Sequence, residues 1–277
     1  YVQFMAKDNI PFHTLSFPAT LIGADQSWKL VDYIKGFNWL TYDGGKFSTS
    51  QNRGVFMNQA LDLFPSDYWR WWLLSNAPET SDADFTWKSF QSCVNKDLAD
   101  VLGNFVSRLT KFTLSKFGTT IPGGAQYAEE EFNTIKEIEK LFATYDNAMS
   151  KIEIRKAASL LRKIWSIGNE YLQRAQPWMI IKTNKAEAAK IIRFGFNLML
   201  FFSEISEPFI PETSDKIKYC LGKSNDELQW PTIEKDFASI FETVEFGQNF
   251  KTVENLFTKI ADAEAINLEQ QFAGTNS

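Results

Sequence analysis

Residues 87–117 read WKSFQSCVNKDLADVLGNFVSRLTKFTLSKF and carry the most regular apolar pattern in the chain. The apolar stripe consists of Leu98, Val101, Leu102, Phe105, Leu109 and Phe112. Steps of three and four residues place these side chains on one face of a helix. The stretch therefore predicts one long amphipathic helix. We expect it to end at Gly118, because glycine commonly follows the last turn of a helix.

The chain after this stretch keeps the same helical period. We predict further helices over residues 127–147, 151–175, 185–205, 214–221 and 267–272, with an irregular stretch over 222–250. Pro177 ends the second of these helices, since proline cannot continue one. No repeat of fixed period stands out, so the pattern favours an antiparallel bundle over a solenoid.

The chain before residue 80 mixes strand and helix signals. Residues 2–5 predict a buried strand, residues 11–21, 58–64 and 67–75 predict short helices, and residues 80–84 predict a polar connection. The Asp43-Gly44-Gly45 sequence between residues 38–42 and 46–48 predicts a hairpin, because glycine tolerates the positive φ of tight turns. The chain begins inside an apolar, strand-like run. We therefore expect the partners of the first strand to lie upstream and the chain to be a fragment.

Composition restricts the class of protein. The chain has 277 residues, 44% hydrophobic and 23% charged, which is ordinary for a soluble globular protein. The net charge of −5 argues mildly against an RNA partner, although phosphate contact needs only a local basic strip. The two cysteines, Cys93 and Cys220, lack metal-ligand spacing, so we predict no metal site and a reducing, cytoplasmic location. The longest apolar run, residues 191–202, is shorter than the roughly 20 residues of a membrane span, so we expect no membrane association.

Lys7, Asp8 and His13 form the first candidate site. Lys7 and Asp8 follow the first predicted strand, and ligands of open α/β sheets gather at the carboxyl ends of strands. A carboxylate at this place can hold a ribose. The alternative is that His13, the only histidine, is a capped or solvent-facing side chain without a ligand.

The second candidate is the loop over residues 44–54, GGKFSTSQNRG. Its small residues let the backbone approach a ligand, and its hydroxyls with Lys46 and Arg53 suit phosphate oxygens. A solvated hairpin loop without a ligand is the alternative.

The third candidate combines two predicted helices. Asn104, Arg108 and Lys111 fall on one polar stripe at i, i+4 and i+7. An amide and a guanidinium together can bond a base edge, and Trp178, after Pro177, can stack on an unpaired base. The alternative is a solvent-facing stripe and one more core tryptophan among nine.

These motifs, in this order, resemble the methionyl-tRNA synthetases, a class I aminoacyl-tRNA synthetase family. The segment FMAKDNIPFH at residues 4–13 is similar to the late part of their catalytic domain, and GKFSTS at 45–50 resembles their lysine-methionine-serine-lysine-serine signature loop. DYWRWWLL at 67–74 and DFTW at 84–87 resemble the helix that follows and the entry to the bundle. Residues 104–108 and AQPW at 175–178 resemble the two anticodon-contacting segments.

The resemblance implies a mostly α fold in three parts. Residues 1–35 would be the end of a Rossmann-like α/β catalytic core, and residues 36–80 a stem-contact region with the signature loop at 46–50. Residues 81–277 would be a helical anticodon-binding domain with a C-terminal extension. The implied activity is that of methionine–tRNA ligase, which activates methionine with ATP and transfers it to tRNA(Met).

The resemblance also implies roles for the residues around the adenylate. Asp8 would bind its ribose and Lys7 would lie near the phosphates. Phe12 and His13 would line the methionine pocket, and Leu40 would border the adenine.

The signature loop would act in catalysis through Lys46, Ser48, Thr49 and Ser50. It would close over ATP, bound as its Mg²⁺ complex, and stabilise the departing pyrophosphate, with Arg53 beside it. No cofactor bound structurally within these residues is expected. Asn104 and Arg108 would bond the first base of a CAU anticodon, a cytosine, on which Trp178 would stack.

Two departures from the family pattern bear on activity. Thr49 stands where the second lysine of the signature loop is usual. The histidine-isoleucine-glycine-histidine ATP motif does not occur in the sequence, so we expect the chain to be inactive in amino-acid activation without the other catalytic half. The alternatives are a non-catalytic tRNA-binding module, another class I synthetase such as one for leucine or valine, and a helical scaffold that binds no RNA.

Overall fold

The computed structural model describes residues 1–24, 26–223, 230–233, 236–252 and 255–274. Within these residues the chain is mostly helical and contains two small parallel sheets, each of two strands. The predicted mostly α fold is confirmed. The predicted irregular stretch over 222–250 falls partly outside the described residues.

The first sheet lies at the amino end of the chain. Strand β1 (Val2–Ala6) pairs in parallel with β2 (Tyr33–Phe37), and a π-helical turn (Phe12–Ser16) with helix α1 (Phe17–Gly23) makes the crossover. The expectation that the partners of β1 lie upstream is wrong for this partner, because β2 lies downstream of β1 in the chain. Because parallel strands point the same way, Lys7 and Asn38 leave the sheet at the same edge.

The second sheet replaces the predicted hairpin. Strand β3 (Leu40–Tyr42) pairs in parallel with β4 (Ala83–Phe85), which includes part of the predicted polar connection. Across the turn at Asp43 and Gly44, Tyr42 and Gly45 form one antiparallel bridge, but residues 38–41 and 46–48, all of them described, form no bridge with each other. The physical reason is that the Asp84 carboxylate accepts from the Gly44 amide at 3.0 Å, which holds the turn over β4. The predicted tight turn is therefore formed, closed by reciprocal hydrogen bonds between Tyr42 and Gly45, but the predicted pairing of the strands that flank it is wrong.

Helices α2 (Met57–Leu63) and α3 (Ser66–Ser75) lie close to their predicted positions. Helix α3 carries Trp69, Trp71 and Trp72, all buried. The ring of Trp71 packs 4.8 Å, between centroids, from that of Trp165 in the bundle. Residues 42–80 therefore share one continuous core with the helices that follow.

The bundle begins with a helix that runs without a break from residue 87 to 117, as predicted. It consists of α4 (Trp87–Cys93), a π-helical segment (Val94–Gly103) and α5 (Asn104–Phe117), and we call it the long helix. The remaining helices are α6 (Glu129–Ser150), α7 (Ile154–Ala175), α8 (Pro177–Ile180), α9 (Lys185–Ser206), α10 (Pro211–Cys220) and α11 (Asp262–Gln271). Helix α11 begins five residues before its predicted start. A 3₁₀ turn (Phe237–Glu242) lies within the predicted irregular stretch. None of the described helices combines the length and apolar character that crossing a membrane requires.

The first forty residues differ from the rest in exposure. No described residue before Tyr42 is buried. Large apolar side chains there are exposed, among them Phe4, Phe12, Leu15, Ile22 and Trp28.

Candidate functional site

The long helix and α7 run side by side in the same direction. Three cross-helix contacts define the pairing, Asp97 with Arg162, Asn104 with Asn169 and Arg108 with Gln173, and each joins residues 65 apart in sequence. A constant separation requires parallel helices. We call this line of polar contacts the polar seam.

Gly168 explains why these helices approach closely beneath the seam. A Cβ at Gly168 would lie 2.8 Å from a ring carbon of Phe202 and 2.9 Å from one of Phe105. The absent side chain therefore leaves room for two buried rings where the long helix, α7 and α9 meet. This packing fixes the position of the neighbouring Asn169.

Asn104 and Arg108 lie in the carboxyl-terminal part of the polar seam. The Asn104 amide donates to Asn169 Oδ1 at 3.1 Å, and Asn169 in turn donates to the Val101 carbonyl at 2.9 Å. Within the described residues, no hydrogen bond uses the side-chain amide oxygen of Asn104, Oδ1. Arg108 makes one long contact, 3.4 Å, to Gln173. One free acceptor thus lies one helical turn from a guanidinium with unused donors, which suits a base edge.

Trp178 lies against the end of this seam. Gln176 adopts a left-handed conformation (φ 43°, ψ 57°) that ends α7, and Pro177 starts the short helix α8. The Arg108 guanidinium lies 4.8 Å from the centroid of the Trp178 ring. A cavity of about 230 Å³ opens beside them, lined by Arg108, Leu109, Phe112, Leu172, Pro177, Trp178 and Ile192. The indole is partly buried, so it is neither sealed in the core nor freely displayed.

The structure brings Asn104, Arg108 and Trp178 together at one end of the seam. Sequence reasoning missed Asn169 and Gln173, which position two of these side chains. The available signal was a pair of amides four residues apart on α7, which share one helical face.

The second candidate site is the loop over residues 44–54, which is anchored at its base by Arg53. Its guanidinium donates to the carbonyls of Tyr42 at 3.0 Å and Asp43 at 2.9 Å, and more weakly to Ala273 at 3.4 Å. Backbone hydrogen bonds between Ser48 and Arg53, 2.9 and 3.0 Å long, close the turn. The structure thus shows Arg53 bonded to main-chain carbonyls, and its predicted ATP contact stays a prediction.

The crest of the loop is exposed. Lys46, Thr49 and Ser50 face solvent, and Ser48 is partly buried. The Ser48 and Ser50 hydroxyls lie 3.2 Å apart. In the described part of the chain Lys46 has no hydrogen bond or ion pair, which leaves its ammonium available to an anionic ligand.

The end of the chain closes over the base of the loop. The Gly54 amide donates to the Phe272 carbonyl at 3.0 Å, and the Phe272 ring packs 5.6 Å from that of Trp87. Residues 272 and 273 therefore connect the loop with the helical part of the chain. Sequence reasoning did not foresee this contact.

The edge of the first sheet carries the remaining candidates. Lys7 Nζ lies 3.2 Å from Asn38 Oδ1 and 3.3 Å from Asp82 Oδ1, with its ammonium 5.6 Å from the Trp39 ring. The Trp39 amide and Lys7 together hold the pKa of Asp82 below its usual range. These contacts place Lys7 beside the start of β3, where Leu40 is partly buried.

Asp8, Phe12 and His13 follow β1. Asp8 is exposed and, within the described residues, has no partner, while Phe12 is 61% exposed. The His13 ring packs 6.5 Å from Phe17, and its Nδ1 is buried with no hydrogen-bond partner in the described structure.

Comparisons with known proteins match both halves of the chain. The family model for class I tRNA synthetases (M) matches residues 1–110, and that for the anticodon binding domain of methionyl tRNA ligase matches residues 121–277. Proteins named methionine–tRNA ligase from Cereibacter sphaeroides and Roseobacter denitrificans are 54% and 52% identical over all 277 residues, which is 48% of each relative. The chain spans about half the length of the curated relatives it matches.

Solved structures show the same fold. The free methionyl-tRNA synthetase of Mycobacterium tuberculosis superposes with a TM-score of 0.78 at 18% identity, over 94% of this chain and 50% of that one. Its complex with methionyl-adenylate gives 0.79 at 21% identity, over 92% and 49%.

Proposed function

Because the chain belongs to the methionyl-tRNA synthetase family, we propose that it supplies the anticodon-reading part and part of the active site of a methionine–tRNA ligase. The observation that carries this proposal is the meeting of Asn104, Arg108 and Trp178 at one accessible end of the polar seam. The relatives are named as ligases, so we do not favour a non-catalytic module.

The proposed anticodon site reads a cytosine through complementary groups. The free Asn104 oxygen would accept from the exocyclic amine, and Arg108 would donate to the ring acceptors. Arg108 now covers the indole, a contact worth about 0.5–1 kcal/mol at exposed sites. A stacked base contributes about 1–3 kcal/mol. We propose that the base takes the place of the guanidinium on Trp178, which frees Arg108 to bond the base edge.

The proposed activation site uses the signature loop. Lys46, the exposed cation at its crest, would contact the phosphates of ATP, with the hydroxyls of Ser48, Thr49 and Ser50 as further donors. Mg²⁺ would accompany ATP as part of the substrate. Arg53 would act mainly by holding the base of the loop, through the carbonyls it bonds.

The proposed adenylate contacts lie at the edge of the first sheet. Asp8 would take the ribose and Lys7 the phosphate side, with Leu40 beside the adenine. Phe12 and His13 would line the methionine pocket.

The exposed apolar face of residues 1–39 supports a further part of the proposal. We propose that this face packs against the other catalytic half, which the relatives contain in the part of their length that this chain does not match. The proposed location is the cytoplasm, where tRNA is charged, and the free thiols of Cys93 and Cys220 agree with a reducing compartment.

The anticodon proposal is tested by binding of a CAU stem-loop RNA to the 277-residue chain. Trp178→Ala is expected to weaken binding by more than about tenfold, the effect of one lost stacked base. Trp28→Ala, which removes an exposed tryptophan elsewhere, is the matched control. Unchanged binding in Trp178→Ala would favour a scaffold without RNA.

The catalytic proposal is tested in the full-length protein by methionine-dependent ATP–pyrophosphate exchange. Exchange that Lys46→Ala abolishes supports the ligase. Efficient charging of a tRNA for another amino acid, such as leucine or valine, would instead assign the chain to a different class I synthetase.

A further inference from the structure

A polar cleft opens at the Asp97–Arg162 end of the polar seam, where α3, the long helix and α7 meet. Its volume is about 430 Å³. The cations that line it are Lys96, Arg155 and Arg162, and four serines, Ser75, Ser89, Ser92 and Ser159, lie among them. The hydroxyls of Ser75 and Ser89 already donate to backbone carbonyls, whereas those of Ser92 and Ser159 have no partner within the described residues. Lys96, Arg155 and the four serines belong to none of the three candidate sites above.

The cleft carries net positive charge in a chain of net charge −5. Asp97 is the one carboxylate among its lining residues, and it pairs with Arg162 while accepting from the Trp71 indole at 3.4 Å. The side chains of Lys96 and Arg155 are exposed and make no ion pair within the described residues. The nearby Glu79 carboxylate is occupied by Lys35 and by backbone amides. Two positive charges are therefore left for a ligand.

The cleft and the proposed anticodon site lie at opposite ends of the polar seam. The Asp97–Arg162 pair in the cleft is the first contact of the polar seam, and the Arg108–Gln173 pair beside Trp178 is the last. The 11 residue steps of α7 from Arg162 to Gln173 span about 17 Å at 1.5 Å per residue. An RNA arm whose loop reaches Trp178 can lay its backbone along this distance.

We propose that this cleft binds phosphates in the backbone of the RNA arm whose anticodon is read at Trp178, through Lys96 and Arg155. The proposal rests on the proposed function. Lysine, arginine and serine are the side chains that commonly bond phosphate oxygens, and such contacts position an RNA without reading its sequence. The cleft is thus a local basic strip, although the net charge of the whole chain is negative.

The test measures binding of the full 277-residue chain to two RNAs with the same extended stem, one with a CAU anticodon and one with its first base replaced. The Lys96→Gln/Arg155→Gln variant is expected to weaken both RNAs equally, by about tenfold or more at low salt. The slope of log K against log salt should fall by about 1.5, because each released counterion contributes about 0.7 to 0.9. Lys136→Gln, which removes an exposed charge on α6 outside the cleft lining, is the matched control and should leave both the affinity and the slope unchanged.

The outcomes separate this inference from the proposed function. If the double variant, with an unchanged melting temperature, keeps the wild-type affinity and slope while Trp178→Ala weakens binding, the cleft assignment is wrong and the anticodon proposal stands. If the double variant loses only the preference for CAU, the cleft does not bind backbone. If the wild-type chain binds neither RNA, both proposals fail.

Discussion

Replacing Arg53 distinguishes an anchor from a simple charge at the base of the signature loop. The terminal Nη2 of its guanidinium donates to both the Tyr42 and the Asp43 carbonyl, at 3.0 and 2.9 Å. Lysine keeps the charge, but its ammonium ends one bond short of the Nη2 position and so cannot reach both carbonyls at these distances. We therefore expect Arg53→Lys to loosen the loop nearly as much as Arg53→Met does.

The magnitude follows from the two short hydrogen bonds. Bonds that involve a charged group contribute about 1.5–3 kcal/mol each when buried. Arg53 is only partly buried, so we take about 1 kcal/mol for each bond, or about 2 kcal/mol in total. Since 1.4 kcal/mol is a factor of ten in an equilibrium constant, the loop should open about 30 times more often.

Amide hydrogen exchange measures this opening directly. The amides of Gly45, Ser48 and Arg53 are bonded within the loop, so they report its opening. Peptides over residues 42–54 should exchange about 30-fold faster in both variants, while peptides of α9 should be unchanged. If these peptides exchange at the wild-type rate in Arg53→Lys, the anchoring role is wrong and Arg53 acts through its charge alone.

Two further predictions concern the stability of the bundle. Lys190 is 3% exposed and lies 3.0 Å from the buried Glu131, which also accepts from the Tyr171 hydroxyl at 2.6 Å. Lys190→Met should therefore cost about 3–5 kcal/mol in chemical denaturation, because it leaves a buried carboxylate uncompensated. The control Glu187→Gln, which removes the more exposed partner of the same ammonium, should cost less than about 1 kcal/mol; equal costs would show that the buried pair is not special. Burial raises the pKa of the Glu204 carboxyl from 4.5 to about 7, so the unfolded chain ionises first and the folded chain loses stability as the pH rises from 4.5 through 7. Glu204→Gln should raise Tm more at pH 8 than at pH 5, and a shift independent of pH would contradict this assignment.

The helices could be predicted because the spacing of apolar residues that identifies them is a local property of the sequence. Leu98, Leu102, Phe105 and Leu109 of the predicted stripe are at most 1% exposed. The sequence also places Pro177 where α7 has ended, because the ring of proline excludes it from a helix interior.

The sheets could not be predicted in the same way. Strand β4 has three residues, and its pairing with β3 depends on chain that is about forty residues away. The turn signal at Asp43 and Gly44 is real, since both residues have positive φ. The bond from the Gly44 amide to Asp84, a tertiary contact, holds the turn against β4, and within the described chain the strands that flank the turn do not pair with each other.

The candidate site likewise contains residues that the sequence could identify and residues that only the tertiary structure identifies. Residue type suggested Asn104, Arg108 and Trp178, and the resemblance linked them. Asn169 and Gln173 depend on the register between two helices, which no local pattern encodes.

The central claim is that the end of the polar seam reads the first anticodon base. Its most direct measurement is the ratio of Kd values of the 277-residue chain for two stem-loops that differ only in that base, cytosine or guanine. We expect the wild-type chain to prefer cytosine by about tenfold or more, consistent with about 1–3 kcal/mol for a base contact, and Asn104→Ala/Arg108→Gln to bring the ratio close to one. Equal affinity of the wild-type chain for both RNAs would contradict the claim.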